Sequence, residues 1–279
     1  MRFTKIVATV GPAVSSPADF KKYATSGVNV ARLNFSHGSH ESHLAEIKQI
    51  QAFNASGNSR IAIMLDTKGP EIRTGDVNTP VVITRGDTVL FTAHPTGKEK
   101  GPVITVNYDK FAKDAADARS IVIDNGTIEC TVLSIKGKTV VARALESGSV
   151  SSRRHINLPG ANISLPSFTD KDWSDIEFGI KHDVDFIAVS FVRTASDIRE
   201  LRAFLKKNRG HADIIAKIET EKAVENIDEI IEESDGIMVA RGDLGAEIPF
   251  ELVPGIQDDI VSKCRMKGKP VIVATHMLE

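Results

Sequence analysis

The residues of this chain that could do chemistry fall into short polar clusters. Lys217-Ile218-Glu219 places an ammonium and a carboxylate two positions apart, and Arg241-Gly242-Asp243-Leu244-Gly245 sets another carboxylate between glycines. Arg32-Leu33-Asn34-Phe35-Ser36-His37-Gly38 and Asp66-Thr67-Lys68-Gly69-Pro70-Glu71-Ile72-Arg73 form two more, and Thr275-His276 a last one. In an extended strand, residues i and i+2 share a face, so Lys217 and Glu219 point the same way. The two read either as a satisfied ion pair or as part of a cation site. Glu219 and Asp243, with no His or Cys beside them, suit a hard cation, Mg²⁺ or Mn²⁺, that keeps waters and takes substrate oxygens. The glycines around Asp243 would let backbone N–H groups close on an anion, with a carboxylate against the Gly242 and Asp243 amides. Arg32 and Arg73 carry forks that match phosphate oxygens and serve equally well as partners of acids. Asn34, Ser36, Asp66 and Thr67 make an oxygen-rich set with one formal negative charge. That set fits either a monovalent cation or a hydrogen-bonded turn network.

Such groups work together only if the chain brings them to one place. Apolar runs of Val, Ile, Ala and Leu recur at Lys5–Val10, Val28–Phe35, 61–66, Val184–Val192, 214–218, Gly236–Ala240 and Val271–Ala274. Their lack of polar alternation marks parallel strands buried on both faces. Amphipathic stretches with helical spacing separate them, at 17–26, His40–Ala55, 195–208 and 254–267, the first and last opened by proline. A further helix starts after Thr169 as its cap, with Trp173 as packing. Alternation of this kind predicts a parallel α/β fold, a (β/α)8 barrel of which seven strands are visible; an eighth unit is expected beyond Glu279. Each polar cluster above then sits at the carboxyl end of a strand, where barrels of this type gather their chemistry. Residues 71–160 break the rhythm with short β-type runs and turn signals at Arg85-Gly86-Asp87, Asp124-Asn125-Gly126 and Lys136-Gly137-Lys138, each read as a hairpin. They predict an inserted antiparallel β domain acting as a lid, with barrel segments at 1–70 and 161–279.

The balance of 35 Lys+Arg against 37 Asp+Glu gives no electrostatic reason to expect nucleic acid or an anionic membrane as partner. No apolar run reaches the roughly 20 residues that would span a bilayer, and the N-terminus lacks signal-peptide or transit-peptide character. The two cysteines, Cys130 and Cys264, read as free thiols in a reducing compartment, so a cytoplasmic protein or a mature organellar one is expected. The eight histidines show no metal-ligand spacing, and His37, His40 and His43 read as loop and helix-surface groups. Neither a Gly-x-Gly-x-x-Gly nor a Walker motif occurs.

Several long strings resemble the pyruvate kinase family in order along the whole chain. They are Lys5-Ile6-Val7-Ala8-Thr9-Val10-Gly11-Pro12, Ala31 to Gly38, Leu65 to Gly75, Asn157-Leu158-Pro159-Gly160, Ile215 to Glu219, Met238 to Gly245 and Ala274 to Glu279. The resemblance implies transfer of the phosphoryl group of phosphoenolpyruvate to ADP, giving pyruvate and ATP. It implies Arg32 and Lys217 on the phosphoryl group, Glu219 and Asp243 on Mg²⁺ (or Mn²⁺), and Asn34, Ser36, Asp66 and Thr67 on K⁺. Gly242, Asp243 and Thr275 would hold the substrate carboxylate. Asn34, Phe35, Ser36, His37 and Arg73 would face the nucleotide, as would Arg154 where the family often has lysine. Family members assemble as homo-oligomers, with a homotetramer expected. His276 departs from the family's usual glutamine, and the family's eighth strand and C-terminal domain lie outside this sequence. Two other readings share some of these features: a non-catalytic relative that only binds, and a Mg²⁺-dependent barrel lyase that stabilises an enolate.

Overall fold

The computed structural model describes residues 4–11, 14, 16–57, 60–124, 126–275 and 277. Asn125 and His276, both singled out above, lie outside the described residues. The chain begins with β1 (Ile6–Thr9), α1 (Pro17–Thr25), β2 (Val28–Asn34), α2 (His40–Ala55) and β3 (Ala62–Asp66). It then leaves the barrel through β4 (Val81–Ile83), β5 (Thr88–Thr92), β6 (Val103–Thr105) and the single turn α3 (Phe111–Asp114). The excursion continues with β7 (Ile121–Ile123), β8 (Ile128–Lys136), β9 (Thr139–Ala144), β10 (Gly148–Val150) and β11 (Ile156–Asn157). Returning, it forms α4 (Asp170–Lys181), β12 (Phe186–Val189), α5 (Ala195–Lys207) and β13 (Asp213–Ile218). The last elements are α6 (Glu221–Glu225), α7 (Ile227–Glu233), β14 (Gly236–Ala240), α8 (Arg241–Glu247), α9 (Val253–Met266) and β15 (Val271–Ala274).

Helix starts follow from local chemistry. Ser16 with Asp19, Ser39 with Ser42, Thr169 with Asp172 and Thr194 with Asp197 each close a reciprocal capping box. These satisfy amide donors that the first helical turn cannot pair internally. Pro17 and Pro254 stand in first turns, as expected, where a missing N–H costs nothing.

The seven barrel strands form one parallel sheet in the order β1-β2-β3-β12-β13-β14-β15. Alternation sorts each strand into two faces. Ile63, Leu65, Ile214, Ala216, Ile218, Ile237 and Val239 pack against the helices in the largest hydrophobic cluster. Met64, Ala188, Ile215 and Met238 form a small separate cluster on the other, inward face. Two positions further along the same face come Asp66 after Met64 and Lys217 after Ile215, so the pleat delivers polar groups to the inner rim.

Between β3 and α4 the second large cluster, from Ile72 to Leu158, has its own core around Phe91 and Phe111. Its main sheet runs β11-β7-β8-β9-β5-β6, antiparallel except for β5 with β6. The turn at 136–138 joins the paired strands β8 and β9, and β7 pairs with β8 on either side of the other expected hairpin position. Arg85-Gly86-Asp87 is a turn but not a hairpin, because β4 pairs with β10 and β5 with β9. Local turn signals carry no information about such distant partners. Both ends of the excursion meet at a clasp, where Arg73 bridges His155 and the Thr74 amide donates to the Arg154 carbonyl at 2.8 Å. Among the described residues, no helix is long and apolar enough to cross a membrane.

Candidate active site

A cavity of about 540 Å³ opens at the carboxyl ends of the barrel strands, where the inserted module meets the sheet. Of the residues singled out from sequence, Arg32, Asn34, Ser36, His37, Arg73, Lys217, Glu219 and Asp243 line it. Its walls carry the basic residues Arg32, Lys68, Arg73, Arg153 and Lys217 against the acidic Glu71, Glu219 and Asp243, an excess of basic side chains that suits a polyanionic occupant.

Lys217 is the centre of the charge network. Its Nζ lies 2.9 Å from Glu219 Oε1 and 3.0 Å from Asp66 Oδ1, and it donates to Ser190 Oγ at 2.7 Å. Burial opposes its charge, but the two carboxylates outweigh that and hold its pKa above the ordinary lysine value. Asp66, fully buried, also takes the Arg32 Nε at 2.5 Å, while Arg32 Nη1 donates to Thr9 Oγ1 at 2.7 Å. Two cations thus share one buried carboxylate.

Glu219 is 1% exposed and accepts the Phe191 N–H on Oε2 at 2.8 Å. Burial raises its pKa, Lys217 pulls it back, and the nearby Asp243 carboxylate raises it again. Two carboxylates that disfavour each other's charge across one cavity fit a divalent cation, which would relieve that repulsion. Among the described residues no group of three or more His, Cys, Asp or Glu is set to hold a metal, so these two carboxylates would need substrate and water oxygens to complete a shell.

The second oxygen set is organised by hydrogen bonds. Asn34 Oδ1 accepts the Ser36 N–H at 3.0 Å, and Thr67 Oγ1 accepts the Ser190 N–H at 3.1 Å. Asp66 and Thr67 are buried behind the cavity wall. Asn34 and Asp66 are register partners on β2 and β3, which sets the two pairs side by side, and their single carboxylate is shared between Arg32 and Lys217.

Other residues singled out from sequence take the following places. Phe35 is buried and stacks on His43 with ring centres 4.1 Å apart, its N–H donates to the Asp66 carbonyl at 3.0 Å, and its carbonyl accepts from Lys171 Nζ at 2.9 Å. His43 is buried rather than on a helix surface, its Nε2 2.9 Å from the His37 carbonyl. Arg154 does not reach the cavity and lies 3.5 Å from Asp124; Arg153 lines the cavity instead, paired with Asp76. Arg73 forks Glu71 with two bonds of 2.7 Å and donates to the Arg153 carbonyl, taking the acid-partner role left open by sequence. The Arg241–Gly245 segment is the first turns of α8 rather than an open nest. Its Gly242 N–H is already held by Thr275 Oγ1 at 3.1 Å, and Thr275 sits at φ 59°.

Sequence reasoning missed Ser190 and Phe191. The fourth apolar run was read through to Val192, but β12 ends at Val189. Ser190 then accepts from Lys217 and donates to the Thr67 carbonyl at 2.7 Å. Phe191 turns into the left-handed region at φ 54°, which aims its N–H at Glu219. The only available signal was a serine at the carboxyl end of a barrel strand.

A parallel β/α sheet with a polar cleft at its carboxyl rim and a β module inserted after the third strand defines a (β/α)-barrel protein. A family model described as pyruvate kinase, barrel domain, matches residues 1–279, and the chain belongs to that family. It is 45% identical over its full length to pyruvate kinase isozyme G, chloroplastic, of Nicotiana tabacum, covering 50% of that protein. It is 46% identical to a pyruvate kinase of Sporosarcina psychrophila and 45% to one of Staphylococcus aureus strain MRSA252, each matched by the whole chain and covered to 48%. The chain thus spans about half the length of the curated relatives it matches.

Proposed function

We propose that this chain carries the phosphoryl-transfer centre of a pyruvate kinase, moving the phosphoryl group of phosphoenolpyruvate to ADP. The convergence of Lys217, Arg32 and Glu219 on one cavity, with Asp66 buried behind them and paired to both cations, carries this reading. Phosphoryl transfer demands positioning and charge neutralisation more than covalent participation by the protein. Arg32 and Lys217 would meet the phosphoryl oxygens, both pre-aimed by Asp66 so that little reorganisation is needed as charge moves. Lys217, held charged, would also steady the enolate left behind. Glu219 and Asp243 would hold Mg²⁺ or Mn²⁺, which when bound supplies Lewis-acid neutralisation of phosphate and enolate oxygens. Asn34, Ser36, Asp66 and Thr67 would hold K⁺. The Gly242 and Asp243 amides would take the substrate carboxylate, with Thr275 releasing the amide it now binds.

Asn34, Ser36, His37 and Arg73 line the side open to a nucleotide, and the inserted module, segment 71–160, would close over it and exclude water. The test is direct: phosphoenolpyruvate and ADP with Mg²⁺ and K⁺ should yield pyruvate and ATP in a coupled assay. No product from a folded chain, checked by circular dichroism, defeats the proposal for this chain. Homo-oligomeric assembly and a cytoplasmic or organellar site of action belong to the same proposal.

A further inference from the structure

A second cavity, of about 320 Å³, lies at the seam between module and barrel and shares Phe191 with the first. That volume is within the range of small-molecule sites. Ile72, Leu158, Ile163, Leu165 and Phe191 give it apolar walls. Asn157 lines it and is 4% exposed, yet its Oδ1 has no hydrogen-bond partner. A buried acceptor left unpaired costs about 1–3 kcal/mol, so this atom calls for a donor that the protein does not provide.

The charges around it point to the kind of donor. Asn157 Nδ2 donates to Glu247 Oε1 at 2.6 Å, the one hydrogen bond to that carboxyl group among the described residues. Burial raises the Glu247 pKa, and Asn157 only partly offsets this. The cations nearby are committed elsewhere. Arg193 donates to the Ile163 and Leu165 carbonyls at 2.7 Å, Lys222 pairs with Glu225 at 2.8 Å, and Arg119 pairs with Glu221 at 2.8 Å while also donating to the Glu247 backbone carbonyl at 3.4 Å. The Glu247 carboxyl group is thus hydrogen-bonded by a neutral amide, with Arg119 acting on it only through space, beside an orphaned carbonyl oxygen.

We propose that this seam cavity binds a small organic cation, an ammonium group on a compact apolar body, with the ammonium between Asn157 Oδ1 and Glu247. Because its walls come from the module (Asn157, Leu158) and from the barrel (Thr220, Glu247), a bound ligand would tie the two together. The proposal goes beyond the reading above, and its test reads binding rather than turnover.

Benzylammonium chloride is a suitable probe, titrated into the full chain by calorimetry with sodium chloride and benzyl alcohol as controls. Saturable binding is expected with a Kd on the order of 1 mM, and at least tenfold weaker binding of benzyl alcohol. Glu247→Gln should weaken benzylammonium binding tenfold or more. If that variant does not fold, Ala161→Trp, which fills the cavity from its partly exposed rim, should do the same. Amides in segments 155–165 and 219–225 should exchange more slowly when the probe is bound. Equal binding of the alcohol, unchanged binding in the folded variants, or no protection of these segments would overturn the site.

Discussion

Lys217 meets two buried carboxylates and a serine, and its replacement should separate structure from chemistry. In Lys217→Met, Glu219 keeps only the Phe191 amide, while Asp66 keeps Arg32. Removing one partner of a buried ion pair costs about 3–5 kcal/mol. The thermal midpoint should therefore fall by roughly 10 °C, and Mg²⁺ should restore part of it by supplying positive charge to Glu219 and Asp243. Turnover should drop at least 100-fold, about the loss seen when one preorganised charge contact is removed. A variant with unchanged melting in both conditions would show that the network is not the electrostatic unit described. The thiols give a second check. Burial pushes Cys130 up to about 12 and Cys264 up to about 11. An unfolded thiol titrates near 8.5, so above that pH the unfolded chain loses protons first and stability falls as pH rises. Native protein at pH 8 should resist a thiol reagent and label at both positions in guanidinium, as read by mass spectrometry; rapid native labelling would refute the burial. Lys217 and Glu219 were legible in the sequence because strand spacing fixes which side chains share a face, and Asp243 because it follows an apolar strand run between two glycines. Ser190 was not, since a lone serine after an apolar run has no pattern to announce it.

Elements carry information in their caps. Asp172, fully buried, accepts from the Thr169 N–H and hydroxyl and also from the Gly69 N–H at 2.9 Å, joining the start of α4 to the loop after β3. Thr169→Ala loses an N-cap and should cost about 1 kcal/mol. Asp172→Ala strands further donors, each costing about 1–3 kcal/mol, and should be at least twice as damaging in urea unfolding. Equal losses would mean that the link to Gly69 contributes nothing. Gly69 itself sits at φ 72°, and a Cβ there would come within 2.8 Å of the Phe191 ring. Gly69→Ala should destabilise by about 1–3 kcal/mol through overpacking, and it should reduce turnover by displacing the amide that holds Glu219. Retained turnover in a destabilised variant would separate Phe191 from the site. The cap at Thr169 could be read from sequence, as could the prolines that open α1 and α9. The stopping point of β12 could not, because its left-handed turn at Phe191 sits against Gly69 and His155, partners distant in sequence.

For the whole molecule, the strand order was readable because each strand–helix repeat returns to pair beside its predecessor. Inside the module that rule gives nothing: β4 reaches β10 across five intervening strands, and β5 lies parallel to β6. Two separate hydrophobic clusters, one behind the barrel sheet and one within the module, account for the change of pattern seen in composition. The clasp between Arg73 and His155 then bears on the order in which the polypeptide acquires its shape. Met64 on β3 must find Phe186 on β12, residues that the whole excursion separates. Left unstructured, that excursion would be a long loop to close; once its ends are clasped, the effective gap is short. Synthesis on the ribosome delivers the excursion before β12, so the insert should fold first and act as a staple that hands β3 to its neighbour. The lone Trp173, packed on Phe168 and Phe204 in the barrel, offers the optical signal. Phe91→Ala, a change confined to the insert's core, should slow the Trp173 refolding phase in stopped-flow fluorescence; an unaltered rate would mean that the barrel closes without waiting for its insert.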